Sequence, residues 1–218
     1  MRAHLASRQG SKRPRRLRAR VAALPLALAA WALLAAGCAG LIQGDPSKLA
    51  LPAAQAPSGF HALSGAVYAN ADVAQAFGIP ESQVSGSMGR LTGYRATYVR
   101  DTTAASLNQG AIRVDSVVSL YQGAVPAQNA LTFEVNANKQ KITNMQTLSL
   151  GSLGQTSVTF AYTQTDTTTG MILRFVNVYW RERNALAAIS VAGVQGAFPD
   201  SEAMQLARDQ DDLLRKAP

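Results

Sequence analysis

The segment from Met171 to Arg181 constrains the fold most strongly, because it alternates like a β-strand and yet is apolar on both faces. One face carries Val176, Val178 and Trp180, and the other carries Phe175 and Tyr179. A strand with two apolar faces must be covered on both sides. We therefore expect this strand to lie centrally in a sheet that is packed between other layers.

Other segments alternate in the same way and are predicted to be strands. The clearest has Val114 and Val118 on one side and Arg113 and Asp115 on the other, which is typical of a half-buried strand. Glycine, serine, aspartate and threonine, the usual turn residues, separate these segments. The additional predicted strands are residues 90–100, 112–121, 156–165 and 186–191.

Two helices have clear boundary signals. Residues 70–78 begin with Asn70, a good N-cap residue, and end before Pro80. Residues 201–217 carry one apolar stripe, with Glu202 at the start and two basic residues at the end. The sequence thus predicts an α+β domain, with an antiparallel sheet of about five strands, helices packed on it and a C-terminal amphipathic helix.

Residues 124–141 fit two interpretations. Leu131, Phe133 and Val135 alternate as in a strand, whereas Ala127, Leu131 and Val135 also fit a helical stripe that Pro126 would open. We favour the helix, because a crossing element is needed between the two predicted hairpins.

The positive charge of the chain is confined to its amino terminus. The 21 Lys and Arg against 13 Asp and Glu give a formal charge of +8, but residues 1–37 hold eight of the basic residues and no acidic one. Residues 38–218 therefore carry 13 basic and 13 acidic side chains. A domain that binds nucleic acid needs a surplus of positive charge, so no nucleic-acid partner is expected.

The amino terminus is typical of an export signal. A basic stretch is followed by 24 uncharged residues, 21–44, whose apolar core ends at Leu34-Ala35-Ala36-Gly37-Cys38. This end resembles the lipobox of bacterial lipoprotein precursors, although Ala35 stands where leucine is most common. The resemblance implies that residues 1–37 are a lipoprotein signal peptide and that Cys38, the only cysteine, carries the lipid.

Two other interpretations of this segment remain open. The uncharged run is about as long as the ~20 residues that span a bilayer, so it could be an uncleaved anchor. Ordinary cleavage near Ala36 or Ala39 would instead release a secreted protein. All three place the domain outside the cytoplasm. Residues 38–59, rich in proline and glycine, are predicted to be a flexible tether, and residues 60–218 a single domain.

Few residues suit catalysis or metal binding. His61 is the only histidine beyond the signal region, and we expect it at the surface rather than in a catalytic triad. One histidine and one lipid-bearing cysteine cannot build a zinc site, so no metal and no cofactor are expected. The carboxylates of Asp209, Asp211 and Asp212 are expected to be solvated, and the Gly-Ser-x-Gly segments 86–89 and 151–154 to be turns rather than anion sites.

Polar and aromatic residues in the strands are the remaining candidates. Arg174 and Asn177 interrupt an apolar strand, and we expect Arg174 to pair with Asp115 or Glu134. The strand aromatics could line a pocket but are first expected in the core. They are Tyr94, Tyr98, Tyr162, Tyr179 and Trp180.

The order of elements over most of residues 60–218 resembles small extracytoplasmic lipoproteins with a PsbP/Mog1p-like fold. No motif carries this resemblance, so it transfers no functional residue. We expect a lipid-anchored envelope protein that is not an enzyme and that binds a hydrophobic ligand or another envelope protein. A structural role in an envelope complex is the alternative, followed by an unrecognised hydrolase.

Overall fold

A seven-stranded antiparallel sheet forms the centre of the domain. The computed structural model describes residues 40–103 and 105–218. The strand order is β1-β2-β3-β7-β6-β5-β4, and every neighbouring pair is antiparallel. The strands are β1 (Phe60–Val67), β2 (Arg90–Arg100), β3 (Arg113–Tyr121), β4 (Gln146–Thr147), β5 (Thr156–Thr165), β6 (Ile172–Glu182) and β7 (Ala185–Val194).

Four α-helices accompany the sheet in the described part of the chain. They are α1 (Asn70–Phe77), α2 (Glu81–Ser85), α3 (Ala124–Lys141) and α4 (Asp200–Lys216). The helical interpretation of residues 124–141 is confirmed by α3. The N-cap of α1 is Ala69 rather than Asn70, and the Asp72 carboxylate accepts a hydrogen bond from the backbone N–H of Ala69 at 2.7 Å.

The sheet has seven strands where about five were expected. The two additional strands are both at the edges of the sheet. β4 has only two residues, and nearly every side chain of β1 is exposed on both faces. Neither strand buries an alternating apolar row, which is the signal that identified the other five.

The strand with two apolar faces lies inside the sheet, as predicted. β6 is flanked by β7 and β5, with α4 packed on one face and α3 on the other. We call the two faces of the sheet the α4 face, which carries Val176, Val178 and Trp180, and the cleft face, which carries Asn177 and Tyr179.

The α4 face is closed by a large apolar core. Trp180 is fully buried there, and its indole Nε1 donates a hydrogen bond to the Asp211 carboxylate of α4 at 2.9 Å. Asp211 is also paired with Arg215 at 2.7 Å and is only 2% exposed. The expectation that the carboxylates of Asp209, Asp211 and Asp212 are solvated was therefore wrong for Asp211, which anchors α4 to the sheet.

Residues 40–56 belong to the folded domain and are not a flexible tether, which corrects the predicted boundary at residue 60. Ile42 and Leu51 are 2% and 1% exposed within the core of the α4 face. The backbone N–H of Ile42 donates to the Asn184 side chain at 2.6 Å, and that of Leu51 donates to the Ser116 hydroxyl at 2.9 Å. These buried apolar side chains and hydrogen bonds hold the segment against the sheet. We call residues 42–51, which make these contacts, the N-terminal strap.

The cleft face is only partly covered. A second apolar cluster packs α1, α2 and α3 against one end of the sheet, around Tyr121 and Leu186. Arg90, 2% exposed, joins the start of α1 to the sheet by donating to the Asn70 side chain at 2.7 Å and to the Ser119 hydroxyl at 3.1 Å. A Cβ at position 93 would overlap the Arg90 guanidinium, so Gly93 provides the necessary space. The other end of this face remains open.

Candidate ligand-binding cleft

A cavity of about 370 Å³ lies between the open end of the cleft face and helices α1 and α3. A neighbouring cavity of about 400 Å³ between β1, β2 and α1 shares Tyr68, Ala76 and Arg95 with it. We call the first cavity the cleft. A concave site between a sheet and its helices is a usual place for a small ligand.

The floor of the cleft is a polar row that crosses four strands. Thr97 of β2 lies opposite Asp115 of β3, which lies opposite Ser190 of β7, which in turn lies opposite Asn177 of β6. Residues directly opposite in neighbouring antiparallel strands point to the same face. Polar residues in four separate predicted strands therefore converge on one site.

Asp115 is the most highly coordinated residue of this row. Its carboxylate accepts hydrogen bonds from the Thr97 hydroxyl and Arg113 Nε, both at 2.7 Å, and from Arg95 Nη2 at 3.1 Å. Burial alone would raise the pKa of Asp115, but the hydrogen bonds from Arg113 and Thr97 and the two arginine charges outweigh it, so its pKa lies below the ordinary value. Both oxygens of Asp115 therefore accept hydrogen bonds from Arg113, and Oδ1 also holds the Arg95 guanidinium beside the cleft.

Within the described part of the chain, the amide nitrogen of Asn177 has no hydrogen-bond partner. The residue is 7% exposed, and Nδ2 is buried without a hydrogen-bond acceptor among the described residues. Leaving such a donor unpaired costs about 1–3 kcal/mol. Because Asn177 lines the cleft, an acceptor atom supplied from the cleft would remove this cost.

Glu134 of α3 lines the cleft without an ion pair or hydrogen bond among the described residues. Burial raises the pKa of its carboxyl to about 7, and the positive charge of Arg90 limits the rise. Tyr68 and Tyr179 line the same cavity, and burial raises the pKa of each phenol, so both remain neutral donors and acceptors at neutral pH.

The remaining wall of the cleft is largely apolar, with one cation at its rim. Phe77 and Tyr179 contribute aromatic rings, and Val117 and Ala188 contribute aliphatic surface. Lys141 Nζ lies 5.5 Å from the Phe77 ring centroid and donates to the Ala76 carbonyl at 2.8 Å. The cleft therefore combines an apolar wall with polar groups that could orient a ligand.

Sequence analysis identified part of this site. Asn177 was a candidate because it interrupts an apolar strand, and Tyr179 was a candidate because it is an aromatic residue of a strand. Both residues line the cleft. Arg174 does not. It pairs with Asp200 at the start of α4, through two contacts of 2.7 Å, and not with Asp115 or Glu134 as expected. Asp200 precedes the predicted helix at 201, so its proximity to β6 was not apparent.

Of the other strand tyrosines, Tyr98 and Tyr94 pack in or against the core, as expected, and Tyr162 does not line the cleft. Tyr98 is buried in the core of the α4 face and donates a hydrogen bond to the Leu51 carbonyl. Tyr94 packs against the same core, and Tyr162 stacks on Phe175 with ring centroids 4.8 Å apart. The sequence analysis did not single out three other residues that line the cleft: Tyr68, Arg95 and Lys141. They lie in a loop, in strand β2 and at the end of α3, and no sequence pattern connects these three places.

The remaining candidates are not part of the cleft. His61 is exposed on β1, as expected, with Nδ1 3.9 Å from the Asp101 carboxylate. Residues 86–88 form a turn, as predicted, whereas residues 151–153 are irregular; Gly154 has φ +54°, and a Cβ at this position would overlap the Arg181 carbonyl. Cys38 and the predicted signal peptide lie outside the described residues.

Residues 40–103 and 105–218 contain neither a metal-binding cluster nor a membrane-spanning helix. No group of three or more His, Cys, Asp or Glu side chains in these ranges could hold a metal ion. Within the same ranges, no helix combines the length and apolar character needed to cross a bilayer.

Comparison with known proteins shows a shared fold. The sequence matches no protein-family model and no curated protein. Among solved structures, the domain is similar to the extracellular domain of PknH from Mycobacterium tuberculosis, with a TM-score of 0.55 and 12% sequence identity. The alignment covers 78% of this chain and 94% of that domain. At this identity the similarity concerns the fold alone.

Proposed function

We propose that the chain is a lipid-anchored protein of the bacterial envelope whose extracytoplasmic domain binds a small ligand in the cleft without chemical conversion. The observation that carries the binding proposal is the buried Asn177 amide, which faces the cleft without an acceptor. The unpaired Glu134 carboxyl and the aromatic rings beside it support the same interpretation.

The location rests on separate observations. The lipobox-like segment ending at Cys38 supports export and lipidation, and the structural neighbour is an extracellular domain. Only Ala39 separates Cys38 from the first described residue, and the strap begins two residues later. Under this proposal, the anchor would therefore be joined to the folded domain by a very short linker.

Ligand retention tests the binding proposal. The processed protein would be purified from bacterial membranes in mild detergent, and its mass would be measured under native and denaturing conditions. The wild type is expected to carry an additional mass that is lost on denaturation. Ala188→Phe fills the cleft and is expected to lose that mass, whereas Ala54→Phe at an exposed position retains it. A wild type without bound mass, or equal retention by both variants, would overturn the proposal.

Lipid labelling tests the anchor independently. In cells fed a radiolabelled fatty acid, the wild type is expected to incorporate label and Cys38→Ala to accumulate as unlabelled precursor. Unchanged labelling and unchanged mass in the variant would exclude lipidation at Cys38. This outcome would leave the ligand-binding proposal intact.

The second candidate function is docking of another envelope protein, and β1 is the observation that favours it. This edge strand is eight residues long and exposed on both faces, with Leu63 and Val67 at 60% and 68% exposure. Exposed edge strands can accept a strand from a partner. Crosslinking in intact cells from a photoreactive residue at position 63 would detect such a partner, and a control at position 54 should not.

A further inference from the structure

Three side chains of the cleft, Asn177, Arg95 and Lys141, have free hydrogen-bond donors. Asn177 Nδ2 has no acceptor among the described residues, and Arg95 directs Nε and Nη2, but not Nη1, to Asp115. Lys141 Nζ makes one hydrogen bond, to the Ala76 carbonyl, and an ammonium group has three donors. A ligand that satisfies these groups must therefore bring acceptor atoms.

The charges around the cleft favour a negative ligand. Arg95, Arg113 and Lys141 are positive, whereas the carboxylate of Asp115 already bridges both arginines. Glu134 is the only other acid on the cleft wall among the described residues. Burial raises the pKa of this carboxyl to about 7, so close to neutrality much of it is uncharged.

An apolar surface continues from these donors. Phe77 and Tyr179 face the cavity together with the aliphatic side chains of Val117 and Ala188. These groups cannot satisfy a second charged end of a ligand, but they can bury an alkyl or ring system, at about 25 cal/mol per Å² of apolar surface.

We infer that the cleft binds an anionic amphiphile, with its carboxylate or phosphate head against Asn177, Arg95 and Lys141 and its apolar body along Tyr179 and Phe77. This inference rests on the proposed ligand-binding function and specifies its chemical class. A cationic ligand fits less well, because the positive charges of Arg95, Arg113 and Lys141 would repel it and both oxygens of Asp115 already accept hydrogen bonds from arginine.

Because of Glu134, the affinity of the cleft for an anion is expected to depend on pH. The charged and titratable groups that face Glu134 or line its cavity are Arg90 and Arg95 on β2, Asp115 and Tyr121 on β3, Tyr179 on β6, Tyr68 before α1, and Lys141 on its own helix; Asp72 of α1 lines the neighbouring cavity. Burial raises the pKa of the Glu134 carboxyl to about 7, close to neutrality. Its ionisation adds repulsion to a bound anion, so an anionic ligand is expected to bind roughly three- to tenfold more weakly at pH 8 than at pH 6.

Soluble eight-carbon amphiphiles with different heads test the chemical class. Octanoate, octyl phosphate, octylamine and octyl glucoside would be added to the processed protein, and the rise in unfolding temperature would be measured, since a ligand that binds the native state raises it. Octanoate or octyl phosphate is expected to raise the temperature, and the comparison distinguishes a carboxylate from a phosphate site. Equal or larger effects of octylamine or octyl glucoside would overturn the inference.

Matched variants locate the effect in the cleft. Asn177→Leu is expected to abolish most of the shift, whereas Asn136→Leu on the exposed surface of α3 retains it. Glu134→Gln is expected to bind octanoate equally at pH 6 and pH 8, and Glu81→Gln to keep the wild-type pH dependence. Unchanged binding by Asn177→Leu would overturn the inference. A bound mass in the native spectrum would then still support the broader binding function.

Discussion

At the scale of single residues, Asp115 connects stability to the cleft. Its carboxylate is 8% exposed and holds two arginines whose side chains are each 44% exposed. Removing the carboxylate leaves both guanidinium groups without their partner on the cleft face. Because both remain partly solvated, the cost is smaller than for a fully buried pair.

We predict that Asp115→Asn lowers the free energy of unfolding at pH 7 by about 1–3 kcal/mol. Urea unfolding measures this change, with the exposed Asp212→Asn as the control, for which about 0.5 kcal/mol or less is expected. The folded-state pKa of Asp115 is lowered, so its contribution is present above its unfolded pKa and is lost as the pH falls through the folded value. The difference between wild type and variant should therefore shrink in acid; a constant difference would contradict this account.

The pH dependence of stability that Glu134 causes has the opposite sign to that of Asp115. Its folded-state pKa of about 7 exceeds the ordinary value of 4.5, so the folded protein binds a proton more tightly than the unfolded chain does. Stability is therefore reduced as the pH rises from about 4.5 to 7, and the reduction is complete above this range. The side chain is partly open to the cleft, which limits the effect.

Glu134→Gln should accordingly stabilise the protein at pH 8 by about 1–2 kcal/mol and leave stability at pH 4 nearly unchanged. Urea unfolding at the two pH values checks this, with Glu81→Gln as a control that shows no such pH dependence. Destabilisation by Glu134→Gln at pH 8 would mean that the carboxylate has a stabilising partner.

At the scale of elements, the N-terminal strap provides the sharpest test of the domain boundary. Leu51 is 1% exposed and packs in the core of the α4 face. We predict that Leu51→Ala lowers the free energy of unfolding by about 2–4 kcal/mol, because a buried leucine is replaced by a cavity. Leu63→Ala on exposed β1 is the control, with a change of about 0.5 kcal/mol or less. Equal effects of the two substitutions would restore the tether interpretation.

The elements that the sequence predicted correctly are those with a buried alternating or helical row. β2, β5 and α3 have the predicted bounds, and β3, β6 and β7 differ from theirs by a few residues at their ends. β1 was missed because its side chains are exposed on both faces. The strap was misjudged because the segment 38–59 that contains it is rich in proline and glycine, as linkers are, while its three-dimensional partners, Asn184 and Ser116, are far away in sequence.

The candidate site was predictable only in part for the same physical reason. Asn177 stood out locally as a polar residue in an apolar strand, but the register that sets it beside Ser190 and Asp115 is a property of the whole sheet. Glu134 lies on a helix whose apolar stripe is weak, so its burial depends on how α3 crosses the sheet. Long-range pairing therefore determined the site more than any local motif.

At the scale of the whole described domain, the two faces of the sheet have different roles. The α4 face is closed by the strap and α4, with polar groups such as Asp211 and Asn184 satisfied internally. The cleft face is closed at one end by α1, α2 and α3 and open at the other, where Asn177 lacks a partner. One face of the sheet is therefore a closed core, and the other leaves an accessible cleft for the proposed ligand.

The most direct test of the central claim is a crystal structure of the processed protein purified from its membrane in an uncharged, sugar-headed detergent, so that the density of a native anionic ligand can be told from that of the detergent. The account predicts non-protein density in the cleft, with an acceptor atom within about 3.2 Å of Asn177 Nδ2. A cleft filled by the protein's own side chains, or one in which Asn177 Nδ2 bonds only to a neighbouring residue, would contradict the claim that this face binds a ligand.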